Sequence, residues 1–245
     1  MTIEREVKTW FSPNVQREMG VARFGFFGKP VILFPTGGGD FLDAERFLMV
    51  KALDPLIRAG RIKLYLVDSV CKVTWASRDA TPQQKSSLQA KYDNYLVNEL
   101  LPYIKADCGG TDQKFAATGA SMGGYSALTA VSKHPDWFDL MVGMSGTYVN
   151  DRRMNGHWDE DYYYNAPHQF LPRLAEGQQL ENLRKAMFVL ARGESWENPD
   201  YIDHMAPILR KKRIPHRVEI WRDPAGHDWP TWRTMLPLFL NRLAR

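Results

Sequence analysis

The segment Gly119-Ala120-Ser121-Met122-Gly123-Gly124 sets a serine midway between two glycines, directly after the apolar run Phe115 to Thr118 and directly before a helix-forming stretch. A sharp strand-to-helix turn projects such a serine beyond the edge of a sheet, and small residues at 119 and 123 let neighbouring backbone approach without a Cβ clash. The chemistry this suits is nucleophilic attack by Ser121 on an acyl carbon. Negative charge would develop beside a helix N-terminus, which supplies donors and a favourable dipole. A phosphate-binding turn is the competing reading. The second half of the segment lacks the lysine of a P-loop, however, and the spacing does not fit a dinucleotide fingerprint.

A serine hydroxyl is a poor nucleophile until a base takes its proton, and a nucleophile on such a turn is followed along the chain by the acid and then the histidine. His227, in Ala225-Gly226-His227-Asp228-Trp229, stands after the last strand-like run and before the terminal helix, where a base would be presented on a loop at the sheet edge. The other histidines read as structural: His134 at a helix end, His204 and His216 beside a helix and a strand, His157 and His168 in an irregular stretch. Of these, His157 alone is kept as a substrate contact. For the acid, Arg192-Gly193-Glu194-Ser195-Trp196-Glu197-Asn198-Pro199-Asp200 offers three carboxylates, and Glu197 is preferred over Asp200 and Glu194. It would orient the imidazole and stabilise its protonated form.

The loop Pro35-Thr36-Gly37-Gly38-Gly39-Asp40 follows the first clear strand. Consecutive glycines allow a backbone N–H, assigned here to Gly38, to point into the site as one oxyanion donor, with the N–H of Met122 as the second. Trp75, Tyr125 and His157 are expected to wall a substrate pocket, since aromatic walls with few polar groups suit small molecules. The chemistry requires no cofactor and no metal.

These residues need a scaffold that brings distant loops to one edge. Short apolar runs at Val31–Phe34, Ile62–Val67, Phe115–Gly119, Leu140–Met144, Met187–Ala191 and Arg217–Trp221 alternate with amphipathic stretches. That alternation predicts an α/β fold, a mostly parallel central sheet with helices on both faces. The period of Leu88, Tyr92, Tyr95, Leu96, Leu100 and Tyr103 predicts a helix over 85–105 packed on the sheet. A helix starting directly after Ser121 should end near His134, because Pro135 disfavours helical geometry before it. A last covering helix is expected over 232–243, entered through Pro230 and Thr231. Residues 150–172, with Asp159-Glu160-Asp161-Tyr162-Tyr163-Tyr164, break the alternation and read as an irregular excursion overhanging the site.

At 245 residues, 44% apolar and 24% charged, the chain reads as one globular domain spanning 1–245. Its net charge of +4 is dispersed, and the one dense basic run, Arg210-Lys211-Lys212-Arg213, suits a helix C-terminus. Aromatic residues do not interleave with a basic stripe, which argues against a nucleic-acid partner. Two cysteines without metal-ligand spacing fit a reducing compartment, the first thirty residues lack the apolar stretch of a signal peptide, and no run approaches membrane-spanning length. A cytoplasmic location without membrane association is expected; oligomeric state is not legible.

Together, Phe34-Pro35-Thr36-Gly37-Gly38-Gly39-Asp40, Val67-Asp68-Ser69 with Trp75, the Ser121 segment, His134-Pro135-Asp136-Trp137-Phe138 and Gly226-His227-Asp228-Trp229 resemble the esterase D-like family of α/β-hydrolases and the related mycolyltransferases. The resemblance spans nearly the whole chain. It implies a cofactor-free Ser–His–acid hydrolase of small-molecule carboxylic esters or thioesters, working through an acyl-enzyme, with Ser121 and His227 carried over directly. Trp196 stands where many members have Asp. Some similar sequences instead read Trp-Glu-Asp/Asn-Pro, like Trp196-Glu197-Asn198-Pro199 here, a second reason to prefer Glu197. Two alternatives keep the scaffold: an acyltransferase using the same site, or an inactive hydrolase-fold binding protein.

Overall fold

A computed structural model of the chain describes residues 3–195, 197–222 and 225–244; Trp196, where the resemblance departs from its usual aspartate, lies outside the described residues. Eight strands form one sheet: β1 (Arg5–Ser12), β2 (Arg17–Phe24), β3 (Lys29–Phe34), β4 (Ile62–Val67), β5 (Phe115–Ala120), β6 (Phe138–Met144), β7 (Met187–Gly193) and β8 (His216–Trp221). Their order is β1-β2-β4-β3-β5-β6-β7-β8. The pairs β1/β2 and β2/β4 are antiparallel, and every pair from β4/β3 to β7/β8 is parallel. The central strands β3, β4 and β5 are buried along their whole length, which is why they read as continuous apolar runs.

The hairpin β1–β2 was not legible as strands. β1 lies at the sheet edge, where its exposed positions mix charge (Arg5, Lys8) with Val7, Thr9 and Phe11, so it lacks a clean apolar alternation. Three helix boundaries also move. The helix expected from 85 starts at Pro82, because Thr81 and Gln84 form a reciprocal capping box. It runs to Tyr95, passes through one π-turn (Leu96–Leu100) and continues as Leu101–Asp107; the turn abuts Pro102, which has no N–H to extend the i→i−4 ladder. The terminal helix begins at Trp229 rather than 232, since the Asp228 carboxylate accepts from the Trp229 N–H at 2.6 Å.

One face of the sheet packs on the helices Met49–Arg58 and Trp229–Leu243, through residues such as Met49, Leu53, Leu236 and Phe239. The other packs on the 82–107 helical run and on Met122–Lys133, Gln178–Leu183 and Asp200–Lys211. Residues 150–172 hold three short helices, Asp151–Met154, Glu160–Tyr164 and Pro167–Phe170. Asp159 accepts from Ser86 Oγ, and Tyr125 Oη donates to the Asn165 carbonyl at 2.7 Å, so the excursion is tied to two helices of that second layer. No helix among the described residues is long and apolar enough to cross a membrane.

Candidate active site

Ser121 stands between β5 and the helix Met122–Lys133 with φ 56° and ψ −119°. A non-glycine residue holds this conformation only when its surroundings over-determine it. The Ser121 N–H donates to Met144 O at 2.9 Å, and its carbonyl accepts from Gly124 at 3.1 Å and Thr147 at 3.0 Å. A Cβ on Gly119 would strike the Gly123 backbone, and one on Gly123 would sit 2.6 Å from Phe34 O, so both glycines are required by close backbone approach.

The glycine loop lies against this turn. A Cβ on Gly37 would meet Met122 Cγ at 2.9 Å, while the same position on Gly38 faces open space. Asp43, 4% exposed, anchors the loop by accepting from Thr36 Oγ1 at 2.8 Å, and the Gly39 N–H is spent on Thr36 O at 3.1 Å. Among the described residues, the N–H groups of Gly37 and Gly38 make no backbone turn or loop bond, and the Met122 N–H, at the first helical position, has no carbonyl a turn earlier to bond.

His227 and Glu197 meet. His227 Nδ1 lies 2.9 Å from Glu197 Oε2, so an Nδ1–H donates to the carboxylate and leaves Nε2 for a substrate-side proton. Glu197 is almost wholly enclosed, its side chain 3% exposed against 39% for His227. Its Oε1 accepts from Ser145 Oγ and, at 3.4 Å, from the Gly193 N–H. Ser145 Oγ in turn accepts from Trp232 Nε1 at 2.9 Å, and the Trp232 ring meets His227 edge-on at 5.2 Å. Tyr148 is buried nearby; burial and then the Glu197 charge push its phenol well above the usual value, so it stays neutral. Asp200 opens the helix Asp200–Lys211 and Glu194 is held through its N–H by Trp221 O; neither is joined to His227 by a described hydrogen bond. Nor do Ser121 Oγ and His227 bond to each other within 3.5 Å, a spacing that commonly closes only around substrate.

The four loops share an edge for a topological reason. Gly38 follows β3, Ser121 follows β5, Glu197 follows β7 and His227 follows β8; these strands run parallel, so all four loops leave the same carboxyl edge, where ligands bind in open α/β sheets. The last two loops also touch, since a Cβ on Gly193 would run into the Ala225 carbonyl.

Trp75 and Tyr125 are buried, 2% and 1% exposed, with ring centroids 5.7 Å apart in a cluster that includes Met122 and Tyr162. His157 pairs with Asp159 at 2.7 Å within the excursion. None of the three lines the cavity of about 220 Å³ beside His227, whose walls include Ser145, Arg192, Glu197 and Tyr201. Ser145, Trp232 and Arg192 are the site residues that pattern reading missed. Among the described residues, no three His, Cys, Asp or Glu side chains converge as a metal site would need.

A family profile described as "Putative esterase" matches residues 66–243. The chain belongs to this esterase family. A ferulic acid esterase structure superposes with a TM-score of 0.77 at 18% identity, covering 100% of this chain and 99% of that one. The S-formylglutathione hydrolase of Staphylococcus aureus gives 0.74 at 12% identity, covering 100% and 97%. In sequence, the MPT51 antigen of Mycobacterium leprae is 36% identical over 67 residues, which is 27% of this chain and 22% of that protein. The esterase-family chain thus spans about a fifth of that relative's length in the match, whereas its α/β-hydrolase fold is shared over full length with the solved enzymes.

Proposed function

We propose that this esterase cleaves small-molecule carboxylic esters or thioesters through an acyl-enzyme on Ser121, with His227 as base, Glu197 as the third member and the N–H groups of Gly38 and Met122 as oxyanion donors. The observation that carries the reading is the 2.9 Å contact between His227 Nδ1 and the enclosed Glu197 carboxylate, on the sheet edge that also bears the strained Ser121 turn. Ser121 Oγ bonds to the substrate carbonyl carbon while His227 Nε2 takes its proton. The C–O or C–S bond to the leaving group then breaks, and that proton goes to the departing oxygen or sulfur. Water attacks the acyl-enzyme by the same path, returning the proton to Ser121. An oxyanion donor of this kind contributes about 2.7 to 4 kcal/mol to the transition state.

A fluorophosphonate should label Ser121, as peptide mass spectrometry would show, and the wild type should hydrolyse short p-nitrophenyl esters. A folded protein that neither labels nor hydrolyses them overturns the reading.

A further inference from the structure

We propose that the substrate's leaving alcohol or thiol carries a carboxylate, and that Arg192 holds it; the inference rests on the acyl-transfer reading of Ser121 and His227. Arg192 is the next-to-last residue of β7 and lines the cavity of about 220 Å³ that has His227 and Glu197 in its wall. Its Nη1 donates to Gly193 O at 2.9 Å, but its Nε is buried without a hydrogen-bond partner among the described residues. It forms no ion pair within 4 Å there either, whereas Arg5, Arg23, Arg46, Arg58 and Arg184 each meet a carboxylate.

Glu197 lines the same cavity but forms no ion pair with Arg192 within 4 Å; its oxygens accept from His227, Ser145 and the Gly193 N–H. A half-buried guanidinium with an unmet N–H is costly until an acceptor arrives, and its planar fork matches a carboxylate. The positive wall continues: a second hollow of about 130 Å³ shares Asn198 and Tyr201 with the first and adds Arg152 and Arg153, against one carboxylate, Asp200.

The side of the site follows from proton bookkeeping. His227 returns its proton to the departing atom, so a cavity walled by His227 receives the leaving group rather than the acyl chain. Size does not select the site: a larger cavity of about 580 Å³ lies at the opposite, amino edge of the strands, but its Lys29 and Lys63 are already paired with Asp139 and Asp107.

The test compares wild type, Arg192→Gln and Arg192→Lys on 4-acetoxybenzoate and the neutral 4-acetoxybenzamide, which share the acetyl group. The ratio of kcat/KM values, anionic over neutral, should fall about tenfold or more in Arg192→Gln and be largely retained in Arg192→Lys. For the wild type the ratio should also fall with added salt, since the contact is ionic. Calorimetry of 4-hydroxybenzoate on Ser121→Ala, with and without Arg192→Gln, reads the same subsite without turnover. Ester hydrolysis with an unaltered ratio and no salt dependence overturns the inference. Binding of 4-hydroxybenzoate through Arg192 without hydrolysis of any ester would instead overturn the acyl-transfer reading and leave the anion site standing.

Discussion

Glu197 gives its two oxygens different tasks, and that division sets what each neighbour is worth. Oε2 orients His227, while Oε1 is fixed by Ser145, itself held by Trp232. Glu197→Gln replaces the carboxylate by an amide that no longer favours the Nδ1–H tautomer or the imidazolium, so kcat should drop by about 10⁴ with little change in KM. Ser145→Ala removes one hydrogen bond to a charged group, about 1.5–3 kcal/mol, or roughly 10- to 100-fold in kcat. Trp232→Phe keeps the ring beside His227 but loses the Nε1 donor. Because both changes act through one carboxylate, the double variant should lose less than the product of the single losses. Steady-state kinetics on p-nitrophenyl acetate decide it: strict additivity with a matching fall in melting temperature would mark Ser145 as merely structural.

At the scale of elements, the site depends on how loops leave adjacent strands. β7 and β8 pair from Phe188/His216 to Gly193/Trp221, and at the end of that register the Gly193 Cα faces the Ala225 carbonyl with no room for a Cβ. Gly193→Ala should therefore push the histidine loop from the acid loop. A displacement of about 1 Å costs on the order of 10² in rate, so kcat/KM should fall about a hundredfold while far-UV circular dichroism is unchanged and Ser121 still labels, more slowly. Near-wild-type turnover would show that the two loops move independently. The same scale separates what could be read along the chain from what could not. The six strands β3 to β8 and the Ser121 turn announce themselves through local apolar runs and glycine spacing. β1 and β2 do not: β1 is an exposed edge strand without a clean alternation, and β2, though buried from Met19 to Phe24, is interrupted as an apolar run by Gly20 and Arg23. The acid was one of three carboxylates in a short loop; chain position and the Trp-Glu-Asn-Pro resemblance favoured Glu197, and in the fold it is the Glu197 carboxylate that meets His227. Ser145 and Trp232 are 87 positions apart and make their bond through tertiary structure alone, and Arg192 looked like a residue just past a strand end until β7 extended to Gly193.

At the scale of the whole molecule, the layer behind the nucleophile is locked by charge as well as packing. Asp93, on the helix Pro82–Tyr95, accepts from His134 Nε2 at 2.8 Å and pairs with Lys133 at 2.7 Å, joining that helix to the end of Met122–Lys133. Burial alone would raise the Asp93 carboxyl, but the His134 hydrogen bond and the Lys133 charge outweigh it and hold it below its usual value of 3.8. The folded state thus favours the ionised form. The stability this contributes is fully present above the unfolded value and is lost as pH falls through 3.8 and below. Asp93→Asn keeps the shape but removes the charge, which should cost roughly 1–3 kcal/mol at neutral pH, lowering the melting temperature by roughly 2–12 °C for a chain of this size. As the medium is acidified the wild type should lose its advantage, and the two melting temperatures should converge below pH 3.8. A gap as wide at pH 3 as at pH 7 would mean that packing at the 93–134 contact, rather than the ionised carboxylate, holds the two helices together.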